Sequence, residues 1–243
     1  MLILNGYKRC FKIKCGEINL ISIIVPVLNE EKSIEELLIN LHNLPGNKEI
    51  IVVDGGSVDN TITIAEKYGR VIVSEKGRAN QMNCGALNSK GDILWFVHSD
   101  SKVHINSIRA MEDAINHGYI GGGFSMHFYD YKSLFLKYIY LTSNMRAKYL
   151  KLYFGDQGIF VKRNIFQDMK GFKAMPIMED WDFSTRVKKL GKLILLKNSI
   201  GTSARRFKKG GPLKTHLLMH KIKFLYMLGK DPEELVKLYR NIR

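Results

Sequence analysis

A chain of 243 residues, 45% of them hydrophobic, can bury one substantial core, and no Pro-, Ser- or repeat-rich stretch divides it, so one domain with a C-terminal elaboration is expected. Its 38 Lys and Arg against 23 Asp and Glu leave a formal charge of +15, which favours an anionic partner: nucleotide, diphosphate, nucleic acid or an anionic lipid surface. Cys10, Cys15 and Cys84 form neither an even set nor a CxxC pair, and no apolar run suits a signal peptide or a membrane span, so a disulfide framework, a zinc site and an integral membrane protein are disfavoured. A cytoplasmic protein is expected, in solution or at the inner face of the cell membrane, with Cys84 a small buried residue.

Residues 1–19 carry no strong period and read as an irregular extension or short edge element. Leu20–Val27 is rich in β-branched residues and reads as a strand, with Pro26 where pairing is about to stop. In Ser33-Ile34-Glu35-Glu36 the serine is expected to cap a helix with Glu36 reaching back, and Ile34, Leu37, Leu38, Leu41 and Leu44 repeat at helical spacing. Glu49–Val53 is a second strand ending in Asp54, and Asp59 is placed to cap a helix through about Tyr68. Val71–Val73 makes a third strand and Arg78 to about Asn88 a third helix. Ile93–Val97 follows as a strand buried on both faces, running into His98-Ser99-Asp100. Strands alternating with helices in this way predict repeated βαβ units and a mostly parallel sheet.

Beyond Asp100 the rhythm changes. A helix around Ile105–His117 precedes Gly121–Phe128, whose alternation suggests a more exposed strand. Tyr131–Tyr153 is aromatic and basic. It reads as a core helix with a wet basic face, the alternative being an interfacial segment that presents the site to a lipid-linked or lipophilic acceptor at an anionic membrane. A short strand at Ile159–Val161 is followed by a loop from Gly171 to Met178-Glu179-Asp180, a helix with Phe183, Val187 and Leu190 on one face, and a last strand at Leu193–Leu196. Arg205–Gly211 reads as a flexible, Gly-bounded basic loop. Helices are expected from Pro212 to about Leu228 and after Asp231-Pro232. The organisation is thus an extension over 1–19, one α/β domain over 20–211, and C-terminal helices over 212–243 packed on that domain.

Singly, each acid has an ordinary use: Asp54 in a turn, Asp59 and Asp100 as caps, Glu179, Asp180 and Asp182 in a solvated first turn. Together, Asp54 and Asp100 end two strands at one edge of the sheet, where open α/β sheets bind ligands, and the loop before Glu179-Asp180 can return to that edge. Such convergence in a basic protein implies a cation or a proton to be moved. His216 and His220, one helical turn apart with no third ligand nearby, read as surface or packing residues.

The ordered motifs Ser22–Glu31, Val52–Thr61, Phe96–Asp100 and Met178–Asp180 resemble glycosyltransferase family 2 over about residues 20–200. Gly77–Asn83, Gly155–Gly158 and Thr202–Phe207 resemble a smaller bacterial and archaeal branch of it. The resemblance implies a GT-A fold that moves a hexosyl or related group from a nucleoside-diphosphate sugar to an acceptor hydroxyl with inversion. By position, Pro26, Asn29, Glu30 and Asp54 would line the nucleoside pocket, Asp54 accepting from the base, with Arg78 near the base or phosphates. Asp156 and Gln157 would also face the sugar nucleotide. Asp100 would hold Mg2+ or Mn2+ against the diphosphate, and Asp180, with Glu179 beside it, would be the catalytic base. Arg205 and Arg206 read either as a solvated charge run or, because arginines suit bidentate phosphate contact, as a pair that closes over the diphosphate. His98 stands where most of the family has the first acid of its metal motif, which predicts weak metal binding without sugar nucleotide. A nucleotidyltransferase would share the nucleotide site without needing Glu179-Asp180, and a basic nucleic-acid module rests on charge alone, with no recognised motif.

Overall fold

The computed structural model describes residues 20–240. The expected extension over 1–19, with Cys10 and Cys15, lies outside the described residues. The elements are, in order, β1 (Ile21–Val27), α1 (Ile34–His42), β2 (Lys48–Asp54), α2 (Thr61–Ala65), β3 (Arg70–Val73), α3 (Arg78–Leu87), β4 (Ile93–Phe96), β5 (Ser101–Lys102) and α4 (Ser107–Asn116). They continue with β6 (Gly121–Phe128), α5 (Leu134–Leu150), β7 (Phe160–Lys162), α6 (Arg163–Asp168), α7 (Glu179–Val187), β8 (Leu193–Thr202), α8 (Arg205–Gly210), α9 (Pro212–Met227) and α10 (Pro232–Arg240).

One sheet of eight strands runs β3-β2-β1-β4-β7-β6-β8-β5. The first four pair in parallel, and β7 then enters antiparallel to both β4 and β6, while β8 lies parallel to β6. The sheet is therefore mixed, with its parallel half built from the βαβ units that the alternation predicts. Side chains alternate across it. Ile21, Ile23, Val25 and Val27 of β1 pack beneath α1 and α4, whereas Ile24 joins Met82 of α3 and Phe183 of α7 on the other side.

This topology decides where the functional segments go. Because β1, β2 and β4 are parallel, Asp54 and His98-Ser99-Asp100 leave the sheet at one edge. Antiparallel β7 begins at that edge, with Phe160 opposite Trp95, so the preceding Gly155–Gly158 turn lies there too. The parallel pair β6 and β8 ends there, delivering Phe128 and the Ser203–Arg206 segment.

Several local expectations are corrected. Ser33 precedes α1 but makes no cap; its hydroxyl donates to Glu30 Oε2 at 2.7 Å, so it orients an acid of the site edge instead of closing a capping box with Glu36. The second helix stops at Ala65, short of Tyr68, although Asp59 does accept from the Thr61 N–H at 3.0 Å. Gly121–Phe128 is not an exposed strand. Its glycines are buried because a Cβ on Gly122 would collide with the Ile194 carbonyl of β8, so the small residues admit close backbone approach. Arg205–Gly210 is a helical turn rather than a flexible loop, with Phe207 buried against Phe128 and Leu136. Cys84 is only half-buried, packed against the core beside α3.

The C-terminal helices pack through Ile222 of α9 and Leu235 and Val236 of α10 onto Ile177 and Met178, just before α7. The expectation of a wet basic face on α5 is only half met. Leu136, Ile139 and Ala147 are buried, but the outer face carries Leu134, Leu141 and Met145 among its lysines. Among the described residues no helix is long and apolar enough to cross a membrane.

Candidate active site

A cavity of about 610 Å3 opens at the sheet edge. Its polar end is lined by Arg78, His98, Asp100, Asp156, Asp180, Arg205 and Arg206, and its far end by apolar residues of α5 and α9.

Helix α3 organises this edge through three side chains. Gln81, buried, donates through Nε2 to the carbonyls of Val27 at 2.7 Å and Val53 at 2.8 Å, tying together the ends of β1 and β2. Arg78 pairs with Glu179 at 2.8 Å. Asn83 donates to the Phe172 carbonyl and accepts from its N–H, at 2.8 and 2.9 Å, holding the loop that leads to α7. One helix thus joins the strand ends of the parallel half to the loop that carries Asp180. The Gly77–Asn83 motif carried this signal, yet only its arginine was singled out as a site residue. Gln81 and Asn83 escape because a buried amide that satisfies remote backbone groups has no local pattern.

The predicted nucleoside-side residues fall into two sets. Asp54 is fully buried and its carboxylate is taken up by its own turn, accepting from the N–H groups of Gly56 at 2.7 Å and Ser57 at 2.9 Å and from the Ser57 hydroxyl. Pro26 is likewise buried in β1. Neither lines the cavity, whose wall begins beyond them. Asn29 is exposed, in a left-handed conformation with φ 54°, and accepts from the Val58 N–H at 2.9 Å, pinning two loops together. Glu30 is clamped by Arg205 through bonds of 2.7 and 2.9 Å. Burial alone would raise its carboxyl, but the hydrogen bonds from Arg205 and Ser33 outweigh this and hold it below the ordinary value.

At the end of β4, Asp100 lies 3.5 Å from Arg205 Nε. Burial pushes its carboxyl up, and Arg205 offsets part of the rise. His98 faces the same cavity and packs so tightly on Gly155 that a Cβ there would strike its ring. Burial, with Arg78, Arg206 and Arg205 nearby, pushes the imidazole down to about 3, so it is neutral and can offer a nitrogen lone pair.

The opposite wall is set by Met178, which precedes α7 in a left-handed conformation with φ 69° while its side chain is buried. That turn sends Glu179 inward, with only one oxygen paired, and leaves Asp180 on the cavity. Burial raises the Glu179 carboxyl against the pull of Arg78, and that pull shows its work: anchoring Arg78. Asp180 accepts from the Gly155 N–H at 3.0 Å and from the Trp181 N–H at 2.8 Å, which fix its orientation. Beside it Asp156 has one buried oxygen without a partner, and burial raises its carboxyl despite Arg146. Gln157 does not face the cavity; it is buried and accepts from Arg146 at 2.8 Å. Arg206 lines the cavity with its guanidinium 5.1 Å from the Tyr239 ring.

The sequence reading missed Arg146, Lys223, Phe154 and Trp181. Phe154 lies under Arg146, 3.9 Å from its guanidinium carbon, and 5.8 Å from the Trp181 ring. Lys223 enters from α9, and burial with Arg146 nearby pushes its ammonium down to about 8. His216 and His220 meet edge to face, 4.4 Å between ring centroids, and form part of the wall.

Residues 22–174 match the profile of Glycosyl transferase family 2. The chain belongs to that family. Among characterised folds it is similar to the mannosyltransferase PcManGT of Pyrobaculum calidifontis, with TM-score 0.63 and 18% identity over 94% of this chain and 70% of that one. It is similar also to Staphylococcus aureus TarS, with TM-score 0.62 and 21% identity over 75% of this chain and 36% of that one. At these identities the likeness is one of fold, and the fold is GT-A. In sequence it is 35% identical over 102 residues to the uncharacterized glycosyltransferase RP339 of Rickettsia prowazekii, covering 40% of this chain and 32% of the relative. It is 34% identical over 106 residues to the uncharacterized protein MJ1222 of Methanocaldococcus jannaschii, covering 41% of this chain and 43% of the relative. The matched part thus spans less than half the length of these curated relatives.

Family membership raises the question of a divalent ion. Among the described residues no three His, Cys, Asp or Glu side chains are disposed to hold one. At the end of β4 the donors facing the cavity are the Asp100 carboxylate and the neutral His98 imidazole. That set fits an ion that arrives with most of its ligands, as Mg2+ does when phosphate oxygens complete its shell.

Proposed function

We propose that the chain moves a glycosyl group from a nucleoside-diphosphate sugar to an acceptor hydroxyl by a single displacement with inversion. One observation carries the reading: the Asp180 carboxylate, held by two backbone N–H groups, faces the same cavity as Asp100, Arg205 and Arg206. The acceptor oxygen bonds to the anomeric carbon as the bond from that carbon to the diphosphate oxygen breaks, and the hydroxyl proton passes to Asp180. The nucleoside diphosphate leaves with the electron pair.

Each remaining residue has a task in this scheme. Asn29 and Glu30 border the nucleoside, above a floor stiffened by Asp54 and Pro26. Arg206 contacts the diphosphate. Arg205, bound in the resting chain to Glu30 and Asp100, turns toward the phosphates when they arrive. Asp100 and His98 would hold Mg2+ or Mn2+, which supplies positive charge against the leaving diphosphate. Arg78 and Glu179 position the loop of Asp180, and Asp156 accepts from sugar hydroxyls with its spare oxygen. The relatives support the ligand class: TarS was solved with UDP-GlcNAc and PcManGT with GDP-Man and Mn2+.

The test is product analysis with Asp180→Asn. Loss of transfer with sugar-nucleotide binding retained is expected; unchanged turnover would remove Asp180 as base and with it this mechanism.

A further inference from the structure

Helices α5 and α9 pack side by side, with Phe135 and Tyr138 of one edge-on to His216 of the other. On the outer face of α5, Leu134, Tyr138, Leu141, Met145 and Tyr149 recur every three or four residues and are all exposed, from 46% to 87%. On α9, Leu213, Leu217 and Phe224, with Leu228 just past its end, share one face and are 58% to 67% exposed, with exposed His220 between Leu217 and Phe224. Among the described residues nothing covers these two apolar stripes, each on a single helix face. Exposed Lys137, Lys148, Lys214 and Lys221 flank them, and neither helix contains one Asp or Glu. The adjoining α8 is equally free of acids and adds Lys208, paired with Asp130, and Lys209.

The catalytic cavity reaches this face. Phe224 and Met227 line its apolar end and are also 58% and 60% exposed, so its mouth is framed by the exposed face of α9. Lys223 and Arg146, from the same two helices, line the cavity with Asp180.

We infer that the α5–α9 face seats the protein on an anionic lipid bilayer. Exposed apolar residues edged with lysines match the acyl boundary and the anionic headgroups of a bilayer. A second copy of the chain is a poor occupant. A twofold interface sets a patch against itself, and this patch would meet its own lysines with no carboxylate from either helix to balance them. Resting on the glycosyl-transfer reading, the inference also names the acceptor class. It is a lipid whose headgroup hydroxyl reaches Asp180 while its apolar part leaves between α5 and α9 into the bilayer.

Flotation tests this without any sugar donor. The chain should float with phosphatidylcholine vesicles containing phosphatidylglycerol, remain in the dense fraction with phosphatidylcholine alone, and release as salt is raised. Leu141→Glu combined with Leu217→Glu, at exposed positions outside the cavity lining, should lower partitioning at least about tenfold. Leu87→Glu, an exposed leucine of α3, should leave it unchanged, and equal melting temperatures establish that all three chains are folded. Absent flotation, equal flotation of the double variant, a light-scattering dimer that the double variant dissolves, or binding to duplex DNA in place of vesicles would each overturn the inference. Sugar-nucleotide stabilisation measured without vesicles reports separately on the transfer reading, so the two can fail independently.

Discussion

The two halves of this sheet treat their polar groups in opposite ways. In the parallel half, acids and amides are used up internally: Asp54 binds its own turn, Asn29 joins two loops, and Gln81 bridges two strand ends. In the mixed half, polar groups retain capacity: Asp156 and Glu179 each keep an unpartnered buried oxygen, and Lys223 is held near a fixed cavity with its charge disfavoured. A half that must present one rigid shape to a constant ligand profits from closure. In the proposed reaction the other half accepts the acceptor and moves a proton, and it keeps bonding atoms free at a cost in stability.

That contrast can be broken at several points. The largest effect is expected from Asp180→Asn, which should lower turnover about 10^2 to 10^4-fold while leaving donor-induced stabilisation intact, read by single-turnover kinetics beside thermal melting. Next, Gly122→Ala forces a Cβ into the Ile194 carbonyl between β6 and β8 and should destabilise by about 3 kcal/mol or more in urea unfolding. Gln81→Leu removes two buried bonds and leaves the Val27 and Val53 carbonyls unpaired, for about 2 kcal/mol or more, and should weaken sugar-nucleotide binding because the strand ends separate.

Of these three residues the sequence made only Asp180 legible. Buried runs such as Ile93–Phe96 have only one reading, so the strands of the parallel half and the acids at their ends could be placed. The half beyond Asp100 was harder because its signals are ambiguous. Glycines packed against a neighbouring backbone look like an exposed strand, and the Arg205–Lys209 run resembles a loop until Phe207 is seen to anchor it. Arg146, Phe154, Trp181 and Lys223 come together only through tertiary packing of α5, α7 and α9, which no local spacing encodes.

Smaller effects sharpen the comparison. Arg206→Ala should weaken sugar-nucleotide binding about tenfold, with little change in melting temperature, since among the described residues its ring contact is to Tyr239 alone. Lys223→Met should stabilise the chain at neutral pH. Burial pushes this ammonium down to about 8 from an ordinary 10.5, so its burial penalty is full below pH 8 and fades as pH rises toward 10.5. Melting curves of wild type and variant should therefore converge across that window.

The central claim is tested most directly by thermal shift of the wild-type chain with UDP-, GDP- and dTDP-sugars, each with and without Mn2+. At least one sugar nucleotide should raise the melting temperature, with Mn2+ enlarging the shift only when that nucleotide is present. No shift from any sugar nucleotide, or a shift produced by Mn2+ alone, would contradict the account.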